Sequence, residues 1–172
     1  MSKIMRIGVI SDTHGLLRPE AVDALKGVDH IIHAGDIGSQ RVLEELLKIA
    51  PLDAVWGNVD EGRWVRTIPR DKILKLGPLR LYVIHDLDDM EVNPNEEGFA
   101  AVIFGHSHEP ENDMRNGVLF FNPGSAGPRR FHLPVALGFL TIQGRSVSGE
   151  IRDLQIAHHQ GTRTPRDIRN DH

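Results

Sequence analysis

The sequence predicts one α/β domain built on two β-sheets, and three observations predict it. The chain has 172 residues, 40% hydrophobic and 26% charged, the size and composition of a single globular domain. Its first sixty residues alternate strand, helix, strand, helix, strand, the mark of parallel strands joined by right-handed crossovers. Its second half consists mostly of short apolar runs separated by turn signals, which reads as a largely antiparallel set of strands.

The elements follow in order. MRIGVIS (residues 5–11) is apolar and β-branched and stops at the polar turn DTHG, so it reads as a buried strand. Pro19 opens a short helix in which Ala21, Val22 and Leu25 recur at helical spacing. HIIHA (30–34) is a second buried strand ending at Gly35-Asp36. Ser39 is a predicted N-cap for QRVLEELLKIA, where Val42, Leu43, Leu46 and Leu47 share one face. LDAVW (52–56) is a third strand, ending at Gly57-Asn58. KILKL and LRLYVIH flank Gly77-Pro78 as a hairpin, and AVIFG (101–105) is another buried strand. Asn116-Gly117 is a hairpin turn into VLFFN, and Gln143-Gly144-Arg145 joins VALGFLTI to SVSGEIRDL. A short helix is expected near residues 95–100. Residues 1–154 form the predicted domain, and 155–172 a polar tail, held by its own domain or by a neighbouring copy.

Charge and composition exclude several functions. A formal net charge of −4 argues against sequence-independent nucleic-acid binding, which needs a basic surface. Cysteine is absent, so no disulfide, thiolate nucleophile or zinc–cysteine site exists. No apolar segment is long enough to predict a membrane span or a secretory signal, so a cytoplasmic protein with no membrane partner is expected. Histidine is over-represented: ten copies, six of them between His14 and His108.

Each candidate ligand stands just after a predicted strand. Asp12 and His14 follow the first, Asp36 the second, Asn58 and Asp60 the third, His85 the strand LYVI, and His106 and His108 the run AVIF. In open α/β sheets the carboxyl ends of strands line the ligand crevice. Gly35, Gly57 and Gly105 beside them let the backbone approach closely. Carboxylate with imidazole suits manganese, iron, zinc, nickel or cobalt. Seven ligands (Asp12, His14, Asp36, Asn58, His85, His106, His108) exceed one tetrahedral ion and suit two divalent ions sharing a carboxylate. Two such ions, less two aspartates, leave positive charge that attracts a phosphate. The alternation His106-Ser107-His108 sends one imidazole towards each ion. His30 and His33 lie within a strand and read as core or supporting residues. Trp56 and Trp64 read as packing, with Trp64 the alternative wall of a pocket, and Arg129-Arg130 as a solvated pair.

The stretches SDTHG, HAGD, GNVD, the histidine of VIHD, GHSHEP and NPGS come in one order across residues 11–125. Together they resemble the calcineurin-like metallophosphoesterases, and more narrowly their small bacterial and archaeal phosphodiesterase branch. The resemblance implies a four-layer αββα sandwich of two mixed β-sheets flanked by helices. It implies one metal on Asp12, His14, Asp36 and His108, and a second on Asp36, Asn58, His85 and His106, with Asp36 bridging. It also implies that Asn58 touches the substrate phosphate and that a metal-bound hydroxide attacks phosphorus with no covalent enzyme intermediate.

Two departures qualify the resemblance. Many members carry histidine after the Asn of GN to protonate the leaving group; here it is Val59, which leaves Asp60 without that client. Losing one general acid typically costs ~10²–10⁴-fold for poor leaving groups. Members usually have glycine after the His85 equivalent; here Asp86 stands there, followed by Asp88, Asp89 and Glu91. That acidity is expected to favour singly charged diesters over monoesters. The expected activity is therefore manganese-dependent phosphodiester hydrolysis of a small phosphate ester, by a chain that is a homo-oligomer. A phosphomonoesterase, a nucleotide hydrolase and a metal-binding interaction scaffold of the same fold are the alternatives.

Overall fold

The computed structural model describes residues 3–156, and the tail prediction lies almost wholly outside them. The chain opens with β1 (Ile4–Ile10), α1 (Pro19–Leu25), β2 (His30–His33), α2 (Gln40–Leu47) and β3 (Leu52–Ala54). A 3₁₀ turn at Arg63–Thr67 leads to β4 (Asp71–Leu76) and β5 (Leu79–Ile84). A second, Leu87–Asp89, and α3 (Pro94–Glu97) precede β6 (Ala101–Ile103). The strands β7 (Glu111–Arg115), β8 (Val118–Asn122), β9 (Ala136–Gln143) and β10 (Ser146–Asp153) follow.

The strands form two five-stranded sheets, ordered β10-β9-β1-β2-β3 and β4-β5-β6-β8-β7. In the first, β1, β2 and β3 run parallel while β9 and β10 run antiparallel. In the second, β5, β6 and β8 run parallel, and the edge strands β4 and β7 run antiparallel to their neighbours. Two expectations are corrected here. The second half is mixed rather than largely antiparallel, and its last hairpin joins the first sheet, with β9 pairing along β1. Turn chemistry identifies a hairpin but not the sheet it docks on, because that choice is made by distant strands.

Side-chain alternation builds the layers. Ile7, Val9 and Ile32 of the first sheet face Leu81, Val83, Ile103 and Phe121 of the second, making the inter-sheet core. Ile10, Ile31, Leu137 and Phe139 point the other way, under α1 and α2. Tyr82, Ile84, Val102 and Phe120 form the outer face of the second sheet, covered by the thin layer around α3. The result is α-β-β-α. Each fully buried Ile, Leu or Phe contributes roughly 1.5–3 kcal/mol.

Local signals behave as physics requires, with one exception. Asn93 caps α3 by accepting from the N–H groups of Asn95 and Glu96, and Pro94 follows at its first position. Ser39 precedes α2, but its side chain makes no capping bond.

Candidate metal centre

The loops that follow β1, β2, β3, β5 and β6 meet at one end of the sandwich. The β1 loop runs beside the β2 loop: Asp12 N–H donates to Gly35 O (3.0 Å), His14 N–H to Asp36 O (2.9 Å) and Gly15 N–H to Ile37 O (2.8 Å). The β5 and β6 loops join through Gly105 N–H to His85 O at 2.9 Å.

Polar side chains beneath these loops lock them. His33 is fully buried, and its Nδ1 accepts from Gly35 N–H at 3.1 Å. The ring proton therefore sits on Nε2, 3.0 Å from Thr13 Oγ1, which itself donates to Ile37 O at 2.8 Å. Burial, despite the nearby carboxylates of Asp12 and Asp36, lowers the His33 pKa to about 3, so the ring is neutral. Asp60 is not idle. Its carboxylate accepts from the N–H groups of Ile37 (3.1 Å), Gly38 (2.8 Å) and Gly57 (2.9 Å), tying the β2 loop to the β3 loop. Asn122 donates to Gly105 O and Ser107 Oγ, both at 3.1 Å, and Ser125 Oγ donates to Asp12 O at 3.0 Å. The supporting roles of Asp60, Asn122 and Ser125 were not read from the sequence. The only signal for the last two was the NPGS stretch.

Six of the seven expected ligands come together, in two groups. Asp12, His14 and His108 form one; Asp36, His85 and His106 form the other. Within each group the ligand atoms lie within 4.8 Å of one another. The groups adjoin through Asp36 Oδ2, which is 3.2 Å from His85 Nε2 and 3.7 Å from His14 Nε2. Asp12 Oδ1 is 3.4 Å from His108 Nε2, 3.8 Å from His14 Nε2 and 3.9 Å from His85 Nε2. The Nε2 atoms of His14 and His108 are 3.2 Å apart.

The backbone bends to deliver them. Among the described residues, eight non-glycine residues have positive φ, and five are Asp12, His14, Asp36, His106 and His108. A left-handed residue with a Cβ costs roughly 1–2 kcal/mol, and such outliers gather at functional sites. Glycines make room alongside. A Cβ on Gly105 would stand 2.1 Å from Ser11 Oγ and 2.7 Å from Asp12 Oδ2.

The donor set fits cations. Asp12 Oδ1 and His85 Nε2, which face the cluster, are buried without a hydrogen-bond partner, a costly state unless something charged faces them. His85 Nδ1 is bonded to Ala34 O at 2.7 Å, so its proton sits there and the Nε2 lone pair faces the carboxylates. Burial opposes charge on His85, but Asp36 and Asp12 beside it outweigh burial and raise its pKa. Burial likewise pushes Asp36 up, and His85 with the N–H of Val59 more than reverses this, lowering its pKa. The Asp36–His85 contact, though 3.2 Å long, lies outside hydrogen-bond geometry; with the ring proton on Nδ1, two electron-pair donors face each other there, as ligands around a cation do.

Asn58, the seventh expected ligand, is exposed and stands beside His85. It lines a cavity of about 60 Å³ together with Trp56, Arg70, His85, Asp86 and Asp89. So Trp56, not Trp64, walls the site; Trp64 packs on the core beneath α1 and α2. Val59 turns its side chain to solvent, while its N–H donates to Asp36 Oδ1 at 3.1 Å. Arg129 is partly buried, and its guanidinium donates to Ile156 O. A larger hollow of about 310 Å³ beside the β1 loop, near Arg41 and Glu45, holds none of the candidate ligands. No described helix is long and apolar enough to cross a membrane.

Two stacked mixed sheets with aspartate and histidine gathered at their strand ends define a metallophosphoesterase. The chain belongs to the calcineurin-like phosphoesterase superfamily, whose domain model matches residues 5–145. It is 36% identical over 159 residues to a probable metallophosphoesterase of Methanothermobacter thermautotrophicus, covering 86% of this chain and 91% of that one. It is 30% identical over 139 residues to a phosphodiesterase, MJ0936, of Methanocaldococcus jannaschii, covering 70% and 83%. Among solved structures it is similar to an archaeal phosphodiesterase (TM-score 0.72, 25% identity, 86% and 100% covered). The fold is also that of Vps29 from Chaetomium thermophilum (TM-score 0.70, 18% identity, 86% and 97% covered).

Proposed function

We propose that this chain is a divalent-metal-dependent phosphodiesterase that hydrolyses a small phosphate diester at a two-cation centre. The observation that carries this is the pair of adjoining ligand groups with one carboxylate oxygen, Asp36 Oδ2, near histidines of both. When bound, two divalent cations supply a water of lowered pKa and Lewis acidity beside phosphorus.

Asp12, His14 and His108 hold one cation and Asp36, His85 and His106 the other, with Asp36 between them. Manganese is the first choice; iron, nickel, zinc and cobalt suit the same donors. Asn58, exposed at the mouth beside His85, presents its side-chain amide to a phosphate oxygen. The absence of an acid at Val59 has a chemical consequence. The leaving oxygen departs without a proton from that residue, which favours esters of acidic alcohols. Asp86 and Asp89 line the approach and disfavour a dianion more than a monoanion. The 30% identical relative described as a phosphodiesterase supports the same choice.

The test compares bis-p-nitrophenyl phosphate with p-nitrophenyl phosphate, each with Mn²⁺ and with EDTA. Mn²⁺-dependent cleavage of the diester at the higher kcat/KM is expected. Faster cleavage of the monoester overturns the diester assignment; a metal-loaded protein inert on both favours an interaction scaffold of this fold.

A further inference from the structure

The clustered residues differ in how firmly they are held. Asp12 is fixed by Ser11 Oγ (2.7 Å) and the N–H of His106 (3.2 Å). Asp36 is fixed by the N–H of Val59, and His85 by Ala34 O. His106 is the most exposed of the clustered histidines. Its side chain is 45% exposed, its backbone is left-handed with φ 73°, and among the described residues its ring makes no hydrogen bond. A histidine hung this loosely presents a lone pair poorly, because both its tautomer and its ring angle are free.

One group faces it. Asp86 Oδ2 lies 3.6 Å from His106 Nε2. The other carboxylate oxygen, Asp86 Oδ1, accepts from Asp88 N–H at 3.0 Å at the start of the Leu87–Asp89 turn. The carboxylate is therefore anchored on one side and directed at the imidazole with the other. His106 in turn meets His85 edge to face, ring centroids 5.3 Å apart. A separation of 3.6 Å is too long for a hydrogen bond, so the bond requires the exposed ring to move towards Asp86.

We propose that Asp86 is a positioning residue, whose carboxylate takes the Nε2 proton of His106 into a hydrogen bond and so presents the other ring nitrogen to the cation held with Asp36 and His85. The proposal rests on the two-cation reading above. It gives Asp86 a task beyond repelling anions. Metal-bound histidines ordinarily donate their second N–H to a carboxylate, carbonyl or water, and loss of that partner typically weakens the metal ~10–100-fold.

Calorimetric titration of Mn²⁺ into the full-length metal-free protein tests it without reference to ester cleavage. Wild type is expected to bind two ions. Asp86→Ser retains an oxygen able to cap Asp88 but too short to reach His106. It is expected to weaken one binding event 10–100-fold and leave the other within twofold. Asp88→Ser removes an equal charge from the same turn and is expected to leave both events unchanged. Asp86→Glu keeps the charge and displaces the carboxylate by one methylene; a loss of at least threefold at the same event is expected, which charge alone does not produce. Unaltered binding in Asp86→Ser, or equal losses in Asp86→Ser and Asp88→Ser, overturns the positioning role. A wild type that binds fewer than two ions overturns the two-cation reading itself, and the proposal with it. Melting curves in EDTA establish that each variant is folded, and the Glu variant decides the matter if the Ser variant is not.

Discussion

Gly57→Ala replaces one hydrogen with a methyl group, and the structure says where it goes. The new Cβ would lie 2.2 Å from Asp36 Oδ1, 2.5 Å from Asp36 N and 2.8 Å from His85 Cδ2. Non-bonded carbon contacts settle at about 3.5 Å, so Asp36 must retreat by roughly 1 Å. Part of the obstruction is backbone, and its own loop is pinned by Asp60 at both Ile37 and Gly57, so it cannot swing aside. Overpacking of this kind costs about 1–3 kcal/mol. For a chain of this length that lowers the Tm by about 2–4 °C per kcal/mol. The functional effect is larger than the stability effect, because Asp36 is the carboxylate between the two ligand groups. A displacement of about 1 Å at a reacting centre can cost ~10²-fold. The assay is kcat/KM on bis-p-nitrophenyl phosphate with Mn²⁺, paired with metal stoichiometry on the same sample. Gly57→Ala protein that retains two tightly bound ions and activity within threefold of wild type would refute the role given to Asp36.

Three further outcomes are expected. Asp60→Ala strips the acceptor from three backbone N–H groups and should cost about 2–3 kcal/mol in urea unfolding, with a loss below 0.5 kcal/mol refuting the locking role. His33 is held neutral with a pKa of about 3 against an ordinary 6.5, so between those values the unfolded chain binds a proton that the folded chain refuses. Its contribution is complete above about pH 6.5 and is lost as pH falls, by about 1.4 kcal/mol per pH unit; in EDTA, His33→Gln should flatten the stability–pH slope there by that amount. Manganese at ~100 times its Kd should add about 2.7 kcal/mol and raise the Tm by roughly 5–11 °C, reversed by EDTA; an unchanged Tm argues that no cation binds the folded state.

Much of the site was legible because each ligand follows an apolar run. After AVIF, the change of chemistry at Gly105-His106 marks where a strand leaves the core, and the same holds for Asp12 after IGVIS and Asp36 after IIHA. The glycines were legible for a related reason: Gly35, Gly57 and Gly105 each leave room that a Cβ would fill with His85, Asp36 or Ser11 atoms. What the sequence hid depends on distance in space. Asp60 is close to Asn58 in sequence, yet its partners at Ile37 and Gly38 lie more than twenty residues away. β7 carries ENDMR, with no apolar alternation, because it is an edge strand whose side chains are mostly exposed. The sheet membership of β9 and β10 rests on pairing with β1 at the far end of the chain.

The two ligand groups share a property beyond their chemistry. Asp12 and His14 come from the loop of the first sheet and His108 from the second; Asp36 comes from the first and His85 and His106 from the second. On the proposed two-cation reading, cations held there would act as rivets through the seam of the sandwich. Neither sheet alone carries a complete socket. Metal supply would then bear on closure of the domain at this end, beyond what the inter-sheet core already holds together.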